Sequence, residues 1–256
     1  MKKILIVVTK AEMGGAQNSI INLVKGLKKG GFDITVGSGE GDYLKLNLEN
    51  LEINHYVFKS LKRSINPFKN LFFIFEIRKY IEKEKIAVVH FNSSNSLFGA
   101  IGAKFTTNKP KTVFTFHGLS VLDPNYKANT LFKLFYKSIF KFLLLFIDQS
   151  VFVSHSNLEY AQKNNIVKHG IVIYNGLDLK DSDFLNKEKA QNFLEAKLQD
   201  PKKFSFSKEN FIIGSIGRLA YPKNYEFLIN VFPEILKIRP DAIGIIIGEG
   251  PERSKY

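Results

Sequence analysis

Seven short runs of β-branched, aliphatic and aromatic residues, KILIVV, DITVG, NHYVF, AVVHF, TVFTF, SVFVS and GIVIY, recur through the first 174 residues. Between several of them, apolar residues fall at three- and four-residue spacing. Ile20, Leu23, Val24 and Leu27 form one such set, and Leu71, Ile74, Ile77 and Ile81 form another; this is the period of an amphipathic helix. Strands that alternate with helices predict a parallel sheet with helices on both faces. The runs are continuously apolar, as strands buried on both faces require. The chain is therefore read as α/β.

The alternation stops at Asn175-Gly176. From Leu177 to Asn210 the sequence is polar and charged, with one helix expected around Lys187 to Leu198. A second series then begins: the strand FIIGSIG, the helix NYEFLINVFPEILKI and the strand AIGIIIG. The expected organisation is a first domain over 1–176, a linker over 177–209 and a partial second domain over 210–256. Two strands and one long helix cannot cover both faces of their own sheet. The expectation is thus the front part of a longer, truncated protein.

Composition narrows the chemistry. There is no cysteine, which removes disulfides, thiolate metal sites and cysteine nucleophiles together. MKKILIVV has the charge of a signal peptide start, but its apolar run is shorter than the roughly 7–15 residues such a segment needs. It is read as a buried first strand. The formal net charge is +13, which points to an anionic partner or to a lysine-rich compositional bias. No nucleic-acid motif is present, so nucleic acid is not expected; a membrane surface and phosphorylated substrates remain. The stretch Asn129 to Ile147 carries Lys133, Lys137 and Lys141 every four residues among Leu, Phe and Ile. It is either a buried helix with a solvated lysine stripe or an interfacial helix on anionic lipid. Three lysines argue against a membrane span.

Four stretches can carry chemistry. After the first run comes TKAEMGGAQ, with a helix starting near Gly15. Free backbone N–H groups there lie at the C-terminal edge of the sheet, where open α/β sheets bind ligands and helix N-termini favour anions. Gly14-Gly15 lacks the third glycine of G-x-G-x-x-G, so a ligand loop of another kind and a plain tight turn both stand. His117 ends TVFTFHG, and His90 lies in VVHFNSSNS beside Asn92. Two strand-end histidines facing one edge suit a polar pocket, although each alone could be a hydrogen-bonded structural residue. No third ligand is placed for zinc. In SIGRLAYPKNYEFLI, Arg218 and Lys223 lie five residues apart between strand and helix. Two such cations can grip a diphosphate or simply face solvent. In IIIGEGPER, Gly248 and Gly250 bracket Glu249 at a strand end, which allows backbone to approach a ligand closely.

GGAQ, VVHFN, TFHG, VFVSHSN, VIYNGLD, IGRLAYPKN and IIIGEGPER occur in this order. Together they resemble the retaining glycosyltransferases of family 4, which have the GT-B fold of two Rossmann-like domains. The resemblance covers essentially the whole chain. It implies an N-terminal acceptor-side domain and the beginning of a C-terminal nucleotide-sugar-binding domain. Gly14 and Gly15 would approach the donor diphosphate, and Arg218 and Lys223 would bind it. His117 would be the catalytic residue near the transferred sugar, and Glu249 and Gly250 would lie by the nucleoside. His90 and Asn92 fall on the acceptor side. The resemblance further implies a nucleotide sugar as substrate, no cofactor, no metal, and a glycan or lipid-linked acceptor in cell-surface polysaccharide synthesis. The implied location is the cytoplasm, with peripheral contact to the inner face of the plasma membrane.

Two departures accompany the resemblance. Gln17 stands where many relatives have glutamate. The family's glutamate pair, seven residues apart, lies downstream of GEGP and past Tyr256, so this chain is expected to be inactive alone. The alternative is a non-catalytic acceptor- or membrane-docking module. A nicotinamide enzyme is disfavoured by the absent G-x-G-x-x-G and by the lack of an acidic residue closing DITVG.

Overall fold

The protein, a computed structural model, is described at residues 2–63, 66–177, 184–197, 206–207 and 210–256. It divides into two compact units, Met1–Leu179 and Lys180–Tyr256. In the first unit, β1 (Lys3–Val8), β2 (Asp33–Ser38), β3 (Asn54–Val57), β4 (Val88–Phe91), β5 (Lys111–Phe116), β6 (Gln149–Phe152) and β7 (Ile171–Val172) form one parallel sheet. Their order is β3-β2-β1-β4-β5-β6-β7. Every expected strand is present, GIVIY being reduced to the two residues that pair with β6.

Six helices connect these strands: α1 (Gly15–Lys29), α2 (Tyr43–Asn50), α3 (Pro67–Glu84), α4 (Gly99–Lys104), α5 (Thr130–Leu144) and α6 (His155–Lys163). Local signals set their limits. Asn66 Oδ1 accepts from the N–H groups of Phe68 and Lys69 at 3.0 and 3.2 Å, and Pro67 occupies the first turn of α3. Ser154 caps α6 in the same way.

Right-handed crossovers then decide the layers. From β1 the chain steps outward to β2 and β3, so α1 and α2 share one face. From β3 it crosses to β4 and continues to β7, so α3 to α6 share the other. Two hydrophobic clusters reflect this division. Ile4, Ile6 and Val8 of β1 pack with Ile20 and Val24 of α1 and Leu44 and Leu48 of α2. Leu5 and Val7, with Val89, Phe91, Phe114 and Phe152, pack against Phe73 and Ile77 of α3, Ala103 of α4, and Phe140 and Leu143 of α5. Gly102 is required here, because a Cβ would run into the Ile74 carbonyl where α4 crosses α3. One consequence bears on function. The α1 and α2 layer covers only the β1 to β3 half, so among the described residues of this unit no helix lies over the other half of that face.

α5 corrects one expectation. Only Phe140 and Leu143 are buried, while Leu131, Leu134, Phe135, Phe142 and Leu145 are exposed. Apolar residues, not lysines, occupy the middle of its outer face. The reading of a buried helix with a solvated lysine stripe is therefore not what the fold provides. No helix among the described residues is long and apolar enough to cross a membrane.

In the second unit, β8 (Phe211–Ile216) and β9 (Ala242–Ile247) pair in parallel around α8 (Tyr225–Ile238), and α7 (Lys187–Glu195) precedes them. Gln191 of α7 donates to the Ser207 carbonyl at 3.1 Å. A helix of the second unit thus lies inside the stretch expected to be a linker.

Candidate functional site

Alternate residues of a strand point to one face of the sheet. In β4 and β5, Val89, Phe91, Phe114 and Phe116 enter the core. Val88, His90 and Asn92, with Val113, Thr115 and His117, turn to the half-covered face. The register pairs His90 with Val113, which brings polar side chains of the two strands within reach of each other. His90 Nε2 lies 2.7 Å from Thr115 Oγ1. His117 Nε2 lies 3.0 Å from Asn92 Oδ1. These six residues line a cavity of about 720 Å³. Ser19, Asn22, Leu23 and Gly26 of α1 form one wall, and the chain from Ile173 to Leu177 forms another. Asn22 Nδ2 donates to the Gly176 carbonyl at 3.1 Å, joining the two walls.

The hydrogen bonds also assign protons. The Asn92 N–H donates to the Val7 carbonyl at 2.8 Å, and its Nδ2 donates to the His90 carbonyl at 3.2 Å. Its Oδ1 therefore faces His117 as an acceptor, and His117 carries its proton on Nε2. Burial lowers the His117 pKa below the ordinary histidine value. Burial, with a smaller push from nearby His117, drives His90 down to about 4. Both rings are neutral at neutral pH. His117 Nδ1 is then an unprotonated acceptor, suited to a hydroxyl or N–H donor and held in one orientation by Asn92. Replacing the buried Asn92 with leucine is expected to remove the partner of the half-buried His117 N–H and to lower stability by about 1–3 kcal/mol in urea denaturation.

The glycine loop stands at the same C-terminal edge but outside the cavity lining. Gly14 is extended, with φ −179°, so its backbone does not demand glycine. A Cβ there would meet Gln17 Oε1 at 2.7 Å, whereas one on Gly15 would meet nothing within 4 Å. Gln17 Nε2 donates to the Lys10 carbonyl at 2.8 Å and closes the loop, a bond that glutamate could not donate. The first turn of α1 has no side-chain cap and no acidic residue, which leaves backbone N–H groups for an anion.

Arg218 and Lys223 are both exposed on the loop between β8 and α8, in the second unit. The backbone after β8 is zipped to that after β9. The Gly217 N–H donates to Ile247, Leu219 to Glu249 and Glu252 to Leu219, at 2.9, 3.0 and 3.0 Å. A Cβ on Gly248 or Gly250 would fall on the carbonyl of Gly217 or Leu219. These glycines are demanded by packing inside the unit, a requirement that the sequence reading assigned to ligand approach. The Glu249 carboxylate pairs with Arg253. Among the described residues, no three His, Asp or Glu side chains gather as a metal site.

The structure thus unites His90, Asn92 and His117 in one cavity of the first unit. It sets Gly14 and Gly15 apart on the same unit, and Arg218, Lys223, Glu249 and Gly250 on the other. Thr115, Asn22 and Gly176 escaped the sequence reading. Thr115 could have been found, since it lies two residues before His117 on the same strand face.

The model of the family "Glycosyltransferase Family 4" matches residues 13–181. The capsular polysaccharide biosynthesis glycosyltransferase CapM of Staphylococcus aureus is 26% identical over 231 residues, covering 87% of this chain and 55% of that protein. An Escherichia coli UDP-Gal:alpha-D-GlcNAc-diphosphoundecaprenol alpha-1,3-galactosyltransferase is 25% identical over 225 residues, 86% of this chain and 54% of its own. This chain spans about half the length of these curated relatives. The crystal structure of Anabaena HepE with UDP and glucose superposes with a TM-score of 0.74 at 18% identity, covering 100% of this chain and 63% of that one. The parallel α/β architecture is that of GT-B glycosyltransferases, and with most of the first unit matched, the chain belongs to glycosyltransferase family 4.

Proposed function

We propose that the protein is a retaining glycosyltransferase that moves a sugar from a nucleotide-sugar donor to a lipid-linked glycan acceptor, in cell-surface polysaccharide synthesis. Similarity to CapM and to the diphosphoundecaprenol galactosyltransferase supports the acceptor class. The observation that carries the reading is the His117–Asn92 pair, a half-buried neutral imidazole held in one tautomer at the end of a central parallel strand. It can orient a sugar hydroxyl without delivering a proton to it. His90 and Asn92 line the same cavity on the acceptor side.

Gly14 and Gly15 offer open backbone to the diphosphate, Arg218 and Lys223 grip it, and Glu249 and Gly250 lie by the nucleoside. In the transfer, the bond from sugar C1 to the diphosphate oxygen breaks, and the acceptor oxygen bonds to C1 on the same face. A diphosphate oxygen takes the acceptor's proton. Charge builds on the leaving group, and the two cations with the N-terminus of α8 stabilise it without a metal or cofactor. The reaction takes place on the cytoplasmic side, in peripheral contact with an anionic membrane.

A screen of nucleotide sugars with a polyprenyl-diphosphate-linked acceptor tests the reading. In the full-length protein, nucleoside diphosphate release is expected with one donor and is expected to persist in chelator. Absence of release with every donor would overturn it.

A further inference from the structure

The first unit turns two apolar helix faces outward on the same side of its sheet. On α3, Phe68, Leu71, Phe72 and Phe75 are exposed, Phe68 to 74% and Phe72 to 63%. On α5, Leu131, Leu134, Phe135, Phe142 and Leu145 are exposed, Phe135 to 64% and Leu145 to 75%. Both helices pack their inner faces on one hydrophobic cluster, so both outer faces look away from the sheet in the same sense. Between them, α4 is short and its residues 99, 100, 102 and 103 are buried. Each is the first α-helix to follow its strand, after a loop that leaves the C-terminal edge of the sheet.

Positive charges gather around α5 and the N-terminal half of α3, while Glu76, Glu82 and Glu84 lie on the C-terminal half of α3. No acidic residue occurs between Glu52 and Glu76, where Lys59, Lys62, Arg63 and Lys69 lie. None occurs between Asp123 and Asp148, where Lys127, Lys133, Lys137 and Lys141 lie. Lys62 pairs with Glu40, and Lys133 reaches the Asp123 and Pro124 carbonyls. An outward row of Phe and Leu flanked by lysines is the composition that seats a helix in a headgroup layer. Exposed apolar area of this kind is unusual on a protein that meets only water. A second copy of the chain is a poor occupant, because a two-fold contact would set these cations against each other.

We propose that the α3 and α5 side of the first unit docks on an anionic lipid bilayer, with Phe72, Phe75, Phe135 and Phe142 entering the interface. This extends the proposed use of a lipid-linked acceptor, and it is tested without any transfer. Sedimentation with vesicles of phosphatidylcholine containing 30% phosphatidylglycerol is compared with phosphatidylcholine alone. Binding is expected only to the anionic vesicles and is expected to weaken at about 0.5 M salt. The variant carrying Phe72→Ser, Phe75→Ser, Phe135→Ser and Phe142→Ser is expected to bind at least about tenfold more weakly while melting with the parent. The chain has no tryptophan, so Phe135→Trp supplies a single reporter whose emission is expected to shift to the blue on anionic vesicles. Equal affinity of the parent and the serine variant, or an unshifted emission on bound vesicles, would overturn the proposal. So would loss of self-association in the serine variant without any vesicle binding in the parent.

Discussion

In the full-length protein, replacing Arg218 with alanine is expected to lower kcat/KM for nucleoside diphosphate release by about 10²–10³-fold, the loss expected when one preorganised donor to a developing anion is removed. The residue sits on the loop between β8 and α8, immediately before Leu219. Leu219 is buried and is tied on both sides to the loop after β9. The Arg218 backbone is therefore held in place while its guanidinium stays in solvent. A planar donor fork held in that way suits a diphosphate, and its full effect arises when the leaving group takes on charge. Arg218 fills no core space, so the variant should melt within about 0.5 kcal/mol of the parent. That separates the loss from unfolding. Lys223→Ala is expected to do less, because an ammonium on a flexible stem gives one charge without the fork. Turnover of Arg218→Ala within a few-fold of the parent would remove Arg218 from the donor site.

The sheet was legible because its strands show as continuous apolar runs: β1 is buried on both faces, and β4 and β5, open on one face, still carry Val88 and Val113 there. β7 was the least legible strand, since only Ile171 and Val172 pair with β6. The individual chemistry-bearing residues were also visible, but their company was not. His117 meets Asn92 across 25 residues of sequence, and that meeting depends on the β4–β5 register. A one-residue slip would turn the histidines into the phenylalanine core. The cavity is less legible still. It arises because all connections after β3 run one way, a property of strand order and not of any segment. α5 misled for a related reason. Its periodicity identified a two-sided helix, but which side faced the sheet was settled by Phe140 and Leu143 packing under Phe114 and Phe116.

The same cavity dictates how stability responds to acid. His90 is buried beside Thr115, and its pKa in the folded chain is lowered to about 4, first by burial and then by His117. In the unfolded chain it returns to the ordinary value of about 6.5. The unfolded state therefore binds the proton first, and stability falls as pH drops below the unfolded value toward the folded one. Above about pH 7 both states are neutral and His90 contributes no slope. Between about pH 7.5 and pH 4.5 the shift is worth about 2–3 kcal/mol. His90→Gln keeps a polar partner for Thr115 Oγ1 and removes the titration. Urea denaturation at the two pH values is expected to show the parent losing about 2–3 kcal/mol more than His90→Gln. His117 and His55 are also lowered by burial, and the carboxylates titrate in both proteins, so a residual acid loss persists in the variant. The difference between the two proteins isolates His90. Equal losses would mean that His90 is hydrated or repositioned in solution, and the neutral pairing beneath the proposed acceptor site would fall with it.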